Sequence, residues 1–199
     1  CRGIGNLTPS TETPRKFLRI LRELKERPNE QVLIYSSFWE AGAIPIHRFL
    51  KQKGVLVGIL PEKISNERKA QVIDAYNSKK TRVLVLAPVY VEGLSVKGTQ
   101  RLHILEPIPE QGRFEQVIGR ARRRNSHMDL AREKRTVEVV IWVARAQKFM
   151  SRISGGFVAW RKANDMDFGP FLKNREIFPQ NLTSDEIVQA QRQGIMKDL

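Results

Sequence analysis

Five short apolar runs, separated by segments of helical period, constrain this chain more tightly than any other feature. They occupy residues 31–35, 55–60, 82–86, 101–105 and 136–143. The first, Gln-Val-Leu-Ile-Tyr, is almost continuously apolar, which suits a strand buried on both faces. Between the runs apolar residues recur every three or four positions. Phe17, Ile20, Leu21 and Leu24 precede the first run, Ala43, Ile46, Phe49 and Leu50 follow it, and Ala70, Ile73 and Tyr76 follow the second. Strands alternating with helices at this interval predict an α/β protein, a parallel sheet covered on both faces. Ligands of such sheets sit beyond the carboxyl ends of the strands. Three loops with glycine, proline or small polar residues leave those ends, at residues 36–37, 88–95 and 106–109. Thr13-Pro14 predicts a hydroxyl-capped first helix with proline at its first position, and Gly54 closes the second helix.

The segment 115–124, Glu-Gln-Val-Ile-Gly-Arg-Ala-Arg-Arg-Arg, follows the last of these loops and is predicted to be helical. At about 100° per residue, Phe114, Val117, Ile118 and Ala121 form an apolar stripe. Gln116, Arg120 and Arg123 gather on the opposite side, with Gly119 beside them adding no side chain. Guanidinium forks suit phosphate oxygens because they present paired donors and hold their charge at any working pH. An ordinary solvated basic face would look the same in isolation. The position of this helix after three converging strand-end loops favours the phosphate reading. These side chains are expected to stand idle within this piece alone.

The chain has 35 Lys+Arg against 21 Asp+Glu, a formal net charge of +14. That excess favours a polyanionic partner, nucleic acid above all, through release of counterions from phosphates. A membrane surface fits less well, because no basic amphipathic helix with a bulky apolar face is present. The single cysteine, Cys1, allows no disulfide framework. His47, His103 and His127 share no spacing that suits a metal, so none is expected. His103 and Trp142 read as core, His127 as structural, and Lys79, Lys80, Arg132, Lys134 and Arg135 as solvated charge. A chain opening on cysteine is expected to be part of something longer. Its organisation reads as an arm over 1–12, a sheet domain over 13–145 and a helical extension over 146–199. A capping box, Thr183 with Glu186, opens the last predicted helix, and Phe157 and Trp160 read as packing residues.

Three stretches together resemble the second RecA-like lobe of a superfamily 2 helicase or translocase. Gln116-Val117-Ile118-Gly119-Arg120-Ala121-Arg122-Arg123 matches the family's motif VI pattern of Gln, two residues, Gly-Arg, two residues, Arg. Residues 89–95, Val-Tyr-Val-Glu-Gly-Leu-Ser, resemble motif V, and residues 32–38 resemble motif IV. Arg68 stands where the family carries an arginine between IV and V. A narrower likeness runs through residues 124–130 and 135–139. They are similar to the segment after motif VI in poxvirus-type nucleoside triphosphate phosphohydrolase I, the small subunit of the viral early transcription factor, and asfarvirus relatives.

The resemblance implies a RecA-like three-layer α/β/α parallel sheet with a helical appendage. It implies the C-terminal lobe of an ATP-dependent motor, with Arg120 and Arg123 directed at the γ-phosphate of ATP and Gln116 orienting near the nucleotide. Glu92, Gly93 and Gly119 join that nucleotide set. Ser36, Ser37, Phe38, Arg68, Leu94 and Ser95 would contact the nucleic-acid backbone. Ser95 departs from the pattern, since many members carry an acidic residue there. ATP with Mg²⁺ would be held mainly by an N-terminal RecA-like lobe, because these residues contain no Gly-Lys-Ser/Thr phosphate loop. The one Asp-Glu pair, Asp185-Glu186, ends no apolar strand. Such a piece alone is expected to hydrolyse nothing. The implied partners are nucleic acid, DNA ahead of RNA, that N-terminal lobe, and viral RNA polymerase or transcription factors. The viral likeness points to the host cytoplasm or the virion. The alternative is a non-catalytic basic adaptor that recruits a transcription complex to DNA.

Overall fold

A computed structural model describes residues 13–89, 94–123 and 126–143. Five parallel strands form one sheet: β1 Gln31–Tyr35, β2 Val57–Leu60, β3 Val83–Leu86, β4 Thr99–Ile104 and β5 Glu138–Ile141. Their order is β2-β3-β1-β4-β5. Four α-helices cover it: α1 Arg15–Glu26, α2 Ile44–Gln52, α3 Asn66–Asn77 and α4 Gln111–Ala121.

Alternation along the central strands gives two cores. Val32, Ile34, Val83 and Val85 point to one face, where Phe17, Ile20 and Leu24 of α1 and Ile46 and Leu50 of α2 pack. Leu33, Tyr35, Leu84, Leu102 and Ile104 point to the other, against Tyr76 of α3 and Val117 and Ala121 of α4. Every residue of β1 is buried, so the first apolar run is the two-sided strand its composition predicts. The fold is the predicted three-layer α/β arrangement. The compact unit that holds the sheet ends at Trp142. The N-terminal arm, the predicted helical extension and the capping box at Thr183 lie outside the described residues.

Several local expectations change. Pro14, not Thr13, takes the cap position of α1, in an extended conformation, and its carbonyl accepts from the amide of Phe17 at 2.9 Å. No side chain caps that helix, because the cap residue carries no hydroxyl. A five-residue π-helical turn, Trp39–Ala43, precedes α2, with the amide of Ala43 donating to the carbonyl of Phe38. Periodicity at 3.6 residues does not reveal such a turn. After α2 the expected glycine stop is present: Gly54 has φ +75°, Gly54 N–H reaches Lys51 O, and Val55 N–H reaches Leu50 O. This paired closure holds Val55 to the helix end, so β2 begins at Val57 instead of residue 55.

Arg101 and His103 sit inside β4 on the α1 face. The Arg101 guanidinium is buried and forms ion pairs with Glu138 at 2.7 Å, Glu30 at 3.1 Å and Glu23 at 3.6 Å. It thereby ties β5, the entry to β1, and α1 together. His103, fully buried, accepts a hydrogen bond from Trp142 Nε1 at 3.1 Å through Nδ1. Burial, with Arg101 and Arg27 nearby, pushes its pKa down to about 3. Its approach to Glu23 at 3.8 Å is therefore that of a neutral imidazole and not an ion pair.

Candidate functional site at the carboxyl edge of the sheet

The chain leaves β1 for α2 on one face and leaves β4 for α4 on the other. Since β1 and β4 are neighbours, their carboxyl ends form a topological switch point, outside which α/β sheets hold ligands in a crevice. Glu106 organises this crevice. Its side chain is fully buried, and Oε1 accepts from the Ser36 hydroxyl at 2.7 Å and from the Ser37 amide. The Ser36 oxygen in turn accepts from the amide of Phe38 at 3.1 Å. The turn after β1 is thus satisfied internally. Arg113, in the first turn of α4, donates Nε to the Tyr35 hydroxyl at 3.1 Å and Nη2 to the Pro88 carbonyl at 3.3 Å. One guanidinium therefore braces the ends of β1 and β3 from the helix that follows β4.

The far end of α4 is anchored differently. The helix stops at Ala121, not at residue 124. The carbonyl of Arg123 accepts from the amide of Ser126 at 3.0 Å and lies 2.6 Å from its hydroxyl, which draws the backbone out of helical register. His127 continues the brace, with Nδ1 on Ser126 Oγ at 2.7 Å and Nε2 on the Thr99 carbonyl at 2.5 Å. A carbonyl only accepts, so Nε2 carries the proton. Arg123 consequently leaves the face it was expected to share with Gln116 and Arg120, and its Nη1 donates to the carbonyl of Leu94 at 3.3 Å. It does not stand idle. Gln116 and Gly119 are exposed, Arg120 is half-buried, and a Cβ added at Gly119 would meet nothing within 4 Å.

Residues 94–98 run back along the α3 side to the start of β4. Asn77, the last residue of α3, clamps them, accepting from the Lys97 amide at 2.8 Å and donating to the Ser95 carbonyl at 3.2 Å. Gly98 turns the chain into β4 at φ +69°, and its amide donates to the Ser126 carbonyl at 2.8 Å. The loop after β3, the end of α4 and the segment beyond it are therefore one hydrogen-bonded assembly.

The profile described as the helicase conserved C-terminal domain matches residues 15–125. The chain belongs to that family. Among similar sequences is a protein of Acanthamoeba polyphaga mimivirus named putative ATP-dependent RNA helicase L538. It is 27% identical over 143 residues, 72% of this chain and 32% of that protein. A second mimivirus protein, putative ATP-dependent RNA helicase R563, is 34% identical over 65% of this chain and 26% of its own length. A termination factor NPH-I homolog of African swine fever virus is 29% identical over 59% of this chain and 17% of its own. This helicase C-terminal domain thus spans about a third or less of the relatives named. In structure it resembles the C-terminal part of the Fun30 ATPase domain, at a TM-score of 0.56 and 13% identity. That match covers 90% of this chain and 53% of the other. It also resembles the C-terminal domain of the DEAD-box protein Dbp5, at 0.50 and 18%, over 72% and 79%. These likenesses carry the fold alone.

Within this helicase domain the expected site residues fall in different settings. Gln116, Gly119, Arg120 and Arg123 lie along or just beyond α4, and Arg123 joins the expected motif VI to the loop expected as motif V. Ser37 and Phe38 are half-buried at the end of β1, Arg68 is exposed in the first turn of α3, and Ser95 is exposed. Two expectations need correction. The hydroxyl of Ser36 is buried on Glu106 and does not face outward, and the side chain of Leu94 is core, leaving only its backbone to the site. Glu92 and Gly93 lie outside the described residues. Glu106 and Arg113 were missed. A carboxylate directly after the Leu-His-Ile-Leu end of a buried strand was a signal for the first, while nothing local distinguished Arg113 from a solvated helix cation.

Proposed function

We propose that this chain is the C-terminal motor lobe of an ATP-dependent nucleic-acid helicase or translocase, with Arg120 and Arg123 acting on the γ-phosphate of ATP held by an N-terminal lobe. The observation that carries the reading is the link between Arg123 and Leu94, which couples the arginine-bearing helix to the loop after β3. The donor set fits a polyphosphate: Arg120 and Arg123 follow an exposed glycine whose missing side chain leaves room for close approach. ATP with Mg²⁺, held mainly by the N-terminal lobe, would supply the γ-phosphoryl group, and closure of the two lobes around it would bring Arg120 and Arg123 to that group. Gln116 orients near the nucleotide, with Glu92 and Gly93 beside the ribose and phosphates. Ser37, Phe38, Arg68 and Ser95 hold a nucleic-acid strand across the sheet edge, and Ser36 acts through the turn it shapes. The names of the mimivirus and African swine fever virus relatives support a viral setting in transcription or genome processing, and support RNA as much as DNA. In this reading the sheet domain covers 13–145, between an arm and an extension.

In the full-length protein Arg123→Ala lowers nucleic-acid-stimulated hydrolysis by about a thousandfold or more, the scale of an arginine finger, while nucleic-acid binding persists. Near-normal turnover in that variant sinks the proposal.

A further inference from the structure

The outer surface of α1 and α2 carries a charge pattern that the motor crevice does not use. Arg15, Arg19, Arg22 and Lys25 on α1, and Arg48, Lys51 and Lys53 on or just after α2, are all exposed. Among the described residues none of these seven forms an ion pair. The acids of the two helices are Glu23, which turns inward to Arg101, and Glu26. The helices are adjacent, with the rings of Phe17 and Phe49 5.8 Å apart, so the two rows of cations lie side by side. Like charges three or four residues apart weaken a helix, yet α1 holds three such pairs in succession, Arg15–Arg19, Arg19–Arg22 and Arg22–Lys25. By contrast α3 interleaves Glu67, Arg68, Lys69 and Asp74 on the opposite face. The potential is felt locally. His47 is driven below its ordinary pKa by burial first, then by Lys51 and Arg48.

We propose that this face is a second nucleic-acid surface, which takes the phosphate backbone of a duplex flanking the segment in the motor crevice. Four of the seven cations are arginines, whose forks match phosphate oxygens. From Arg15 to Lys25 the row runs about 15 Å along the helix, room for roughly four phosphates of one duplex strand. The aromatic residues of these two helices, Phe17 and Phe49, are buried, so the face offers no stacking platform for unpaired bases. A regular paired backbone is the polyanion it fits. The choice of nucleic acid over another polyanion rests on the motor reading above.

The test compares two double variants of the full-length protein with the same change in charge, Arg19→Glu with Arg22→Glu, and Lys63→Glu with Lys80→Glu from exposed sites off this face. The probes are a labelled hairpin duplex with a single-stranded tail, the tail alone, and polyglutamate. The α1 variant binds the tailed duplex about tenfold or more weakly, and its log K against log salt slope falls by about 2, at 0.9 per phosphate contact. Its affinity for the tail alone and its melting temperature stay at wild-type values. Unchanged duplex binding, or equal losses in both double variants, overturns the proposal. Retained duplex binding with lost polyglutamate binding also overturns it, in favour of an acidic protein partner. Failure of the motor reading is seen separately, as normal hydrolysis in Arg123→Ala.

Discussion

The carboxylate of Glu106 accepts the hydroxyl proton of Ser36 across 70 residues of sequence, at 2.7 Å and out of contact with water. The same oxygen takes the amide of Ser37, so one buried carboxyl group fixes where the chain goes after β1. In a dry setting, orphaning the donors of such hydrogen bonds is costly.

Glu106→Ala leaves the half-buried Ser37 amide without this acceptor and the Ser36 hydroxyl with only the Phe38 carbonyl at 3.0 Å, and is expected to destabilise the protein by about 1–3 kcal/mol, read from denaturant melts. Glu106→Gln keeps an acceptor oxygen and should fall between Ala and wild type. If the motor reading holds, Glu106→Gln also raises the nucleic-acid concentration needed for half-maximal stimulation of hydrolysis. Stability equal to wild type in both variants contradicts the role assigned to this carboxylate.

Gly119 lies inside α4 with open space around its missing Cβ. Glycine there weakens the helix without relieving any clash within the domain. Gly119→Ala should therefore stabilise the fold by roughly 0.5–1 kcal/mol. In the full-length protein the same change should lower hydrolysis, if the glycine serves close approach of the nucleotide. A variant that is more stable and fully active removes Gly119 from the nucleotide set.

Gly98 is the opposite case. Its φ is +69°, and an added Cβ would stand 2.6 Å from Gln31 Oε1. Gln31 is itself pinned, donating Nε2 to the Tyr76 carbonyl at 2.5 Å. Gly98→Ala should cost about 1–3 kcal/mol through backbone strain and collision, and it should loosen the 94–98 loop. A thermal melt within error of wild type refutes this account of the turn.

The buried His103 makes stability depend on pH. Its folded pKa, about 3, lies well below the ordinary 6.5, so it stays neutral in the fold. Between those values the unfolded chain binds a proton that the folded chain refuses. Its contribution is complete above about pH 6.5 and is lost as pH falls toward 3, by at most about 1.4 kcal/mol per pH unit. His47, lowered by burial and by Lys51 and Arg48, acts in the same direction, so the measurement is a difference. Denaturation of wild type and His103→Gln from pH 7 to 4 should show a shallower slope in the variant. Trp142 fluorescence reports locally, since its indole N–H holds the imidazole. Parallel slopes count against a buried neutral histidine.

Local sequence was enough for the elements and their layers. Apolar runs gave the five strands, helical periodicity gave the buried faces of α1 and α4, and Gly54 marked the end of α2. These follow from nearest-neighbour sterics and from the need to bury one stripe or two faces, which any short window displays. The motif pattern around Gly119, Arg120 and Arg123 was equally legible, because its spacing is a property of the chain itself. The tertiary structure decided which distant groups meet. Only the order β2-β3-β1-β4-β5 sets β4 beside β1 and so carries Glu106 to Ser36 and Ser37. The end of α4 depended on Ser126, which takes the Arg123 carbonyl and is braced by His127 on the Thr99 carbonyl, and Arg123 reaches Leu94. Arg101 is accommodated in a buried strand because Glu23, Glu30 and Glu138 converge on it. A window of sequence records the preference of each residue for burial or exposure. The partner that satisfies a buried charge comes from another part of the chain, and the packing of the sheet selects it.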